Sequence, residues 1–120
     1  MKKKILVIEN DESILEMVSY VLKEEGYEVK AYHTQKWLFE HVEAYKPDAI
    51  ILDVVRPTAQ GTEICRTLKA NPKTKHIPVI VFSTHLKVME TIKRVCADEV
   101  VPKPFDISQL ISAVEIQLAS

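Results

Sequence analysis

Hydrophobic positions along the chain follow two alternating periods. Ile5–Ile8, Ala49–Leu52 and Val79–Phe82 are short, unbroken apolar runs rich in branched residues. Runs of this kind mark strands buried on both faces of a parallel sheet. Glu28–His33 alternates apolar and polar residues, which predicts a strand at or near an edge, and Val100-Val101 predicts a short fifth strand. Between them lie helical patterns. Ile14, Leu15, Val18, Val21 and Leu22 share one helical face. Ser13 with Glu16 three residues on predicts a capping box at the start of that helix, and Gly26 predicts its end. Thr34–Tyr45 reads as a second helix bounded by Pro47, and Thr62–Ala70 as a third stopped by Asn71-Pro72. Leu86–Ala97 reads as a fourth, and Ile107–Leu118 as a fifth, opened by Asp106 with Gln109.

Strand followed by helix, five times over, predicts an α/β domain with a parallel sheet and helices on both faces. A chain of 120 residues holds one such domain, here residues 1–120. Its composition, 47% hydrophobic and 28% charged, is that of a globular protein. A net charge of −1 gives no overall field for nucleic acid, and a four-residue apolar run falls far short of the roughly 20 residues of a membrane span. Lys2-Lys3-Lys4 and the apolar run after them are too soon interrupted by Glu9–Glu12 to form a signal peptide, so a cytoplasmic location is expected. Two cysteines, Cys65 and Cys96, provide neither a disulfide scaffold nor a zinc site and read as two buried thiols.

The chemistry gathers after the strands. Glu9 and Asn10 follow the first, Asp53 the third, Ser83 and Thr84 the fourth, and Lys103 the fifth. In open parallel sheets the carboxyl ends of the strands form the ligand site, so these residues should converge. Carboxylates, an amide and hydroxyls suit Mg²⁺, and a hydroxyl with an ammonium suits phosphoryl oxygens.

In these segments the chain resembles the receiver domains of two-component response regulators. The matching pieces are Ile5–Glu12, Ile51-Leu52-Asp53, Pro57, Gly61, Pro78–Ser83 and Lys103-Pro104-Phe105. The resemblance implies a flavodoxin-like, doubly wound sheet of order 2-1-3-4-5 with five helices. It implies that Asp53 is the phosphoacceptor, taking a phosphoryl group from a sensor histidine kinase or phosphotransfer protein, with Ser83 and Lys103 contacting that group. It also places Mg²⁺ on Glu9, Asn10, Asp53 and the backbone carbonyl of Val55, and makes the Lys103-Pro104 bond cis. Such a domain is not an enzyme in the ordinary sense, although it assists its own phosphorylation and dephosphorylation. Phosphorylation would switch the face made by the fourth helix, fifth strand and fifth helix, where the family binds downstream proteins or forms homodimers. Neither nucleic acid nor membrane is an expected partner of this single-domain chain.

Several positions depart from the family pattern. Asn10 stands where an acidic residue normally meets the metal, which predicts weaker Mg²⁺ binding: one charge pair at about 4 Å is worth at most about 4 kcal/mol near a protein surface. Thr84 is bulkier than the usual Ala or Gly, Val55 cannot orient an attacking water, and Val100 replaces the aromatic residue of the usual switch. Cys96 replaces a common glycine. Asn10, Thr84 and Val100 support an alternative, a phosphorylation-independent pseudo-receiver. A nucleotide- or flavin-binding enzyme is a third reading, but it needs a glycine-rich phosphate cradle after the first strand, where this chain has Glu9-Asn10-Asp11-Glu12.

Overall fold

In the computed structural model, residues 2–54, 59–83, 90–93, 96–103 and 106–119 are described, with the side chains of 59–62 left aside. Five parallel strands, β1 (Lys4–Ile8), β2 (Glu28–Tyr32), β3 (Ala49–Asp53), β4 (Val79–Ser83) and β5 (Glu99–Pro102), form one sheet of order β2-β1-β3-β4-β5. Helices α1 (Glu12–Glu24), α2 (Leu38–Tyr45), α3 (Ala59–Ala70) and a C-terminal helix (Ile107–Leu118) accompany it, and residues 90–93 are also helical. This is the flavodoxin-like, doubly wound order expected. Of the rest of the predicted fourth helix, residues 86–89 and 94–95 lie outside the described residues, while Cys96 sits in a turn and Ala97 is not helical, so the helix does not reach its predicted end.

Alternation along each strand divides the core into two layers, since successive side chains point to opposite faces. Leu6, Ile8, Ile50, Leu52, Val54, Val79 and Val81 meet Leu38 and Val42 of α2, Cys65 and Leu68 of α3, and Ile92. Ile5, Val7, Ile51, Ile80, Phe82 and Val101 meet Leu15, Val18 and Leu22 of α1 and Leu110, Ala113 and Val114 of the C-terminal helix. The central strands β1, β3 and β4 are therefore buried on both faces, whereas β2, at the edge, leaves Glu28, Lys30 and Ala31 exposed.

Local chemistry sets the helix ends. Gly26 has φ +95°, its N–H donates to the Lys23 carbonyl, and the Tyr27 N–H donates to the Leu22 carbonyl. This paired closure needs a left-handed residue, which glycine supplies without steric cost. The capping box of Asp106 with Gln109 forms as expected. The one predicted at Ser13 does not: Asp11 caps α1, accepting from the Ile14 N–H at 3.1 Å. Both residues have suitable side chains, and the chain turns two residues earlier. Helix α2 also starts later than predicted. Trp37 has φ +64°, the Thr34 hydroxyl accepts from the Lys36 N–H, and the Leu38 N–H donates to the Gln35 carbonyl. Residues 34–37 therefore turn instead of winding into the helix, and Trp37 is left 60% exposed.

The cysteines correct another expectation. Cys65 and Cys96 are joined in a disulfide, with their α-carbons 5.8 Å apart. Their separation of 31 residues carried no local signal; the topology brings them together, because the chain leaves β3 and β4 for the same face of the sheet.

Candidate functional site at the carboxyl ends of the strands

Parallel pairing aligns the ends of β1, β3, β4 and β5. Ile8 stands beside Leu52, Asp53 beside Phe82, and Ser83 beside Pro102. The apolar runs of β1, β3 and β4 last to the carboxyl ends of these strands, where polar side chains emerge together at one rim. The loop bonds continue this alignment: Val54 N–H donates to the Phe82 carbonyl, Lys103 N–H to the Ser83 carbonyl, and Glu9 N–H to the Tyr32 carbonyl.

Three charged side chains meet there. Lys103 Nζ donates to Asp53 Oδ1 at 2.9 Å and to Glu9 Oε1 at 2.9 Å. It also lies 2.9 Å from Glu9 Oε2, but the angle leaves that oxygen without a hydrogen bond. The carboxylates are almost wholly covered, with side-chain exposures of 0% for Glu9 and 3% for Asp53. The Asp11 N–H donates to Glu9 Oε1 at 3.1 Å, so the residue that caps α1 also orients Glu9. Composition and motif gave no notice of that contact. Ser83 is fully buried at the end of β4.

The electrostatics follow from burial. Loss of water raises the pKa of the Glu9 carboxyl; the hydrogen bonds from Lys103 and Asp11 only partly counter it. Burial pulls the Lys103 ammonium down, but hydrogen bonds to Glu9 and Asp53 outweigh it and hold the group above its ordinary 10.5. Lys103 is thus a fixed cation between two anions. Asp53 Oδ2 is buried and receives no hydrogen bond among the described residues. A buried carboxylate oxygen without a donor is costly, and is the atom a cation or a reacting group would engage.

Of the residues singled out from the sequence, Glu9, Asp53 and Lys103 are in direct contact, and Ser83 lies at the same rim. Asn10 follows Glu9 and is exposed. Val100 is half-buried on β5 and packs against the layer that holds Cys65 and Cys96. Val55, Thr84 and Pro104, and with it the expected cis bond, lie outside the described residues.

Residues 5–115 match the family described as the response regulator receiver domain. The chain belongs to that family. This receiver domain is 31% identical over 120 residues to the phosphate regulon transcriptional regulatory protein PhoB of Rhizobium meliloti, covering 98% of this chain and 53% of that protein. It is 30% identical to the response regulator MprA of Mycobacterium ulcerans, over 98% of this chain and 51% of the relative. The chain thus spans about half the length of these curated relatives. Among solved structures, the chemotaxis protein CheY4 of Vibrio cholerae superposes with a TM-score of 0.86 at 26% identity, covering 98% of this receiver domain and all of that chain. The signal receiver domain of a signal transduction histidine kinase from Syntrophus aciditrophicus gives 0.85 at 28% identity, over 98% and 90%. Receiver domains take part in two-component signalling with histidine kinases and effectors, and generally use Mg²⁺. Among the described residues, no helix is long and apolar enough to cross a membrane.

Proposed function

We propose that this receiver domain is a phosphoacceptor and that Asp53 carries the phosphoryl group. The supporting observation is the state of its carboxylate: buried, with one oxygen on Lys103 and the other without a donor among the described residues. Asp53 attacks the phosphorus of a phosphohistidine on a sensor histidine kinase or phosphotransfer protein. An O–P bond forms, the N–P bond breaks, and the histidine leaves with a proton from solvent. Carboxylate nucleophiles form acyl phosphates in this way. Such transfers depend on positioning and charge neutralisation. Lys103, already beside Asp53, pairs with an incoming phosphoryl oxygen, and the Ser83 hydroxyl contacts another.

Mg²⁺ fits the donor set. Asp53 offers a buried free oxygen, Asn10 an amide carbonyl, Val55 a backbone carbonyl, and Glu9 a second carboxylate. When bound, the ion would neutralise phosphoryl charge. The set has one anion fewer than an acidic residue at position 10 would give, and Glu9 already shares Lys103, so the affinity is lower than is usual for the family.

The switched surface comprises helical residues 90–93, β5 and the C-terminal helix. A hollow of about 320 Å³ there is lined by Val100, Pro102, Ser112 and Ile116, and Ile116 is 65% exposed. A downstream protein or a second copy of the chain binds this face.

Intact-mass spectrometry after incubation with acetyl phosphate, with and without Mg²⁺, tests the assignment. One added phosphoryl group is expected, dependent on Mg²⁺ and absent from Asp53→Asn. A folded protein that stays unmodified across a wide Mg²⁺ range would instead be a phosphorylation-independent interaction module.

A further inference from the structure

We propose that Cys65 and Cys96 form a reversible thiol–disulfide site that locks together the two crossovers leaving the phosphoacceptor end of the sheet. Cys65 lies on α3, which the chain enters after Asp53; Cys96 closes the segment that the chain enters after Ser83. The bond therefore joins the return paths of β3 and β4, the neighbouring strands that end in those two residues. Oxidised, the two paths move as one body. Reduced, they lose the covalent link and are held together less tightly.

A second tie runs alongside the first. Lys69, one helical turn beyond Cys65, forms an ion pair with Asp98, two residues beyond Cys96. Lys69 Nζ also donates to the Ile77 carbonyl at 2.8 Å, and Asp98 Oδ2 accepts from the Val79 N–H at 2.8 Å. These bonds survive cleavage of the disulfide. They keep α3 in register with the start of β5, hold the two thiols near each other, and so make re-formation of the bond a local event.

The reaction is exchange with a low-molecular-weight thiol such as glutathione. Its thiolate attacks the sulfur of Cys96, which is 9% exposed, while Cys65 is wholly buried. A mixed disulfide forms on Cys96, and Cys65 leaves as a thiolate that takes up a proton. A second glutathione attacks the mixed disulfide and releases glutathione disulfide and the Cys96 thiol. Two electrons pass from two glutathiones to the protein, and the reverse reaction consumes glutathione disulfide. Apolar burial disfavours the Cys65 thiolate as a leaving group, so exchange is slow.

The test uses the whole chain in glutathione buffers of stepped redox ratio, with alkylation by iodoacetamide, intact mass and amide hydrogen exchange. Oxidised protein is expected to resist alkylation and to be lighter by two hydrogen atoms; reduced protein takes two alkyl groups. Amides of residues 59–70, 90–93 and 96–98 should exchange at least about 5-fold faster when reduced, with β1 unchanged. In hydrogen exchange, Cys65→Ser and Cys96→Ser should each match the reduced protein at every redox ratio, and each should take up at most one alkyl group; if either fails to fold, the titration of the unaltered chain decides. Lys69→Met should slow re-oxidation about 10-fold, as expected when the register bonds are lost. The proposal is overturned if folded protein at the oxidising end alkylates at both cysteines, or if exchange is the same in both redox states. Its significance for signalling rests on the phosphoacceptor reading, but none of these readouts involves a phosphoryl group. A chain that never takes up phosphoryl can still pass, and one that takes it up can still fail.

Discussion

At the amino ends of the strands, aspartate side chains hold backbone. Asp48 Oδ2 accepts from the Lys4 N–H at 2.7 Å while its own N–H donates to the Lys4 carbonyl, and Asp98 makes the same two-way pairing with Val79. Both carboxylates reach solvent, and Asp98 also has Lys69. At the carboxyl ends, Asp53 and Glu9 are buried, share a single ammonium, and are each left with an oxygen that receives no hydrogen bond among the described residues. One end satisfies its carboxylates and so fixes register. The other withholds a partner and so retains reactivity. The same residue type closes the sheet at one rim and leaves it chemically open at the other, and the difference is one of hydrogen-bond satisfaction.

The sharpest way to break this contrast is to remove the shared cation. Lys103→Met leaves two buried carboxylates facing each other, and breaking a buried ion cluster this way costs about 3 kcal/mol. Urea denaturation at neutral pH should show that loss, with part of it recovered in acid as Glu9 takes up a proton. Undiminished stability would mean that the site is more hydrated than its burial implies.

At the opposite rim, Asp98→Ala strands the buried Val79 N–H and frees Lys69. The expected loss is about 2 kcal/mol, the usual penalty for an unsatisfied buried donor. Phosphoryl uptake from acetyl phosphate should be unchanged. A variant that kept its stability but lost phosphorylation would reverse the roles given to the two ends.

The smallest effect is a pH slope. Lys103 holds its proton more tightly in the folded chain than at its ordinary 10.5. Above 10.5 the unfolded chain loses that proton while the folded one retains it. The contribution to stability is therefore complete below 10.5 and is lost as pH rises through the folded value. Urea midpoints measured through this window should fall for the unaltered protein and fall less steeply for Lys103→Met.

Much of this was legible from residues. Unbroken apolar runs identified β1, β3 and β4, alternation identified β2 as an edge, and the strand–helix rhythm implied a rim where Glu9, Asp53 and Lys103 would meet. What escaped was decided by tertiary geometry. Nothing near Asp48 or Asp98 marks a side chain that will reach a strand 44 or 19 residues away. Asp11 and Ser13 carry equally good capping oxygens, so only the path of the chain out of β1 chooses between them. Residues 34–36 carry no glycine or proline to announce the turn that delays α2. The cysteine pair depends on two crossovers sharing a face, a relation between distant segments.

The sheet's outer borders have a consequence of their own. β2 presents Glu28 and Lys30 to solvent, and β5 begins with Glu99 and ends in Pro102, which has no N–H to offer. Charges and a missing donor at a border discourage a foreign strand from zipping on. Such a sheet resists strand-to-strand fusion with its neighbours in a crowded solution, while its rim stays available for chemistry.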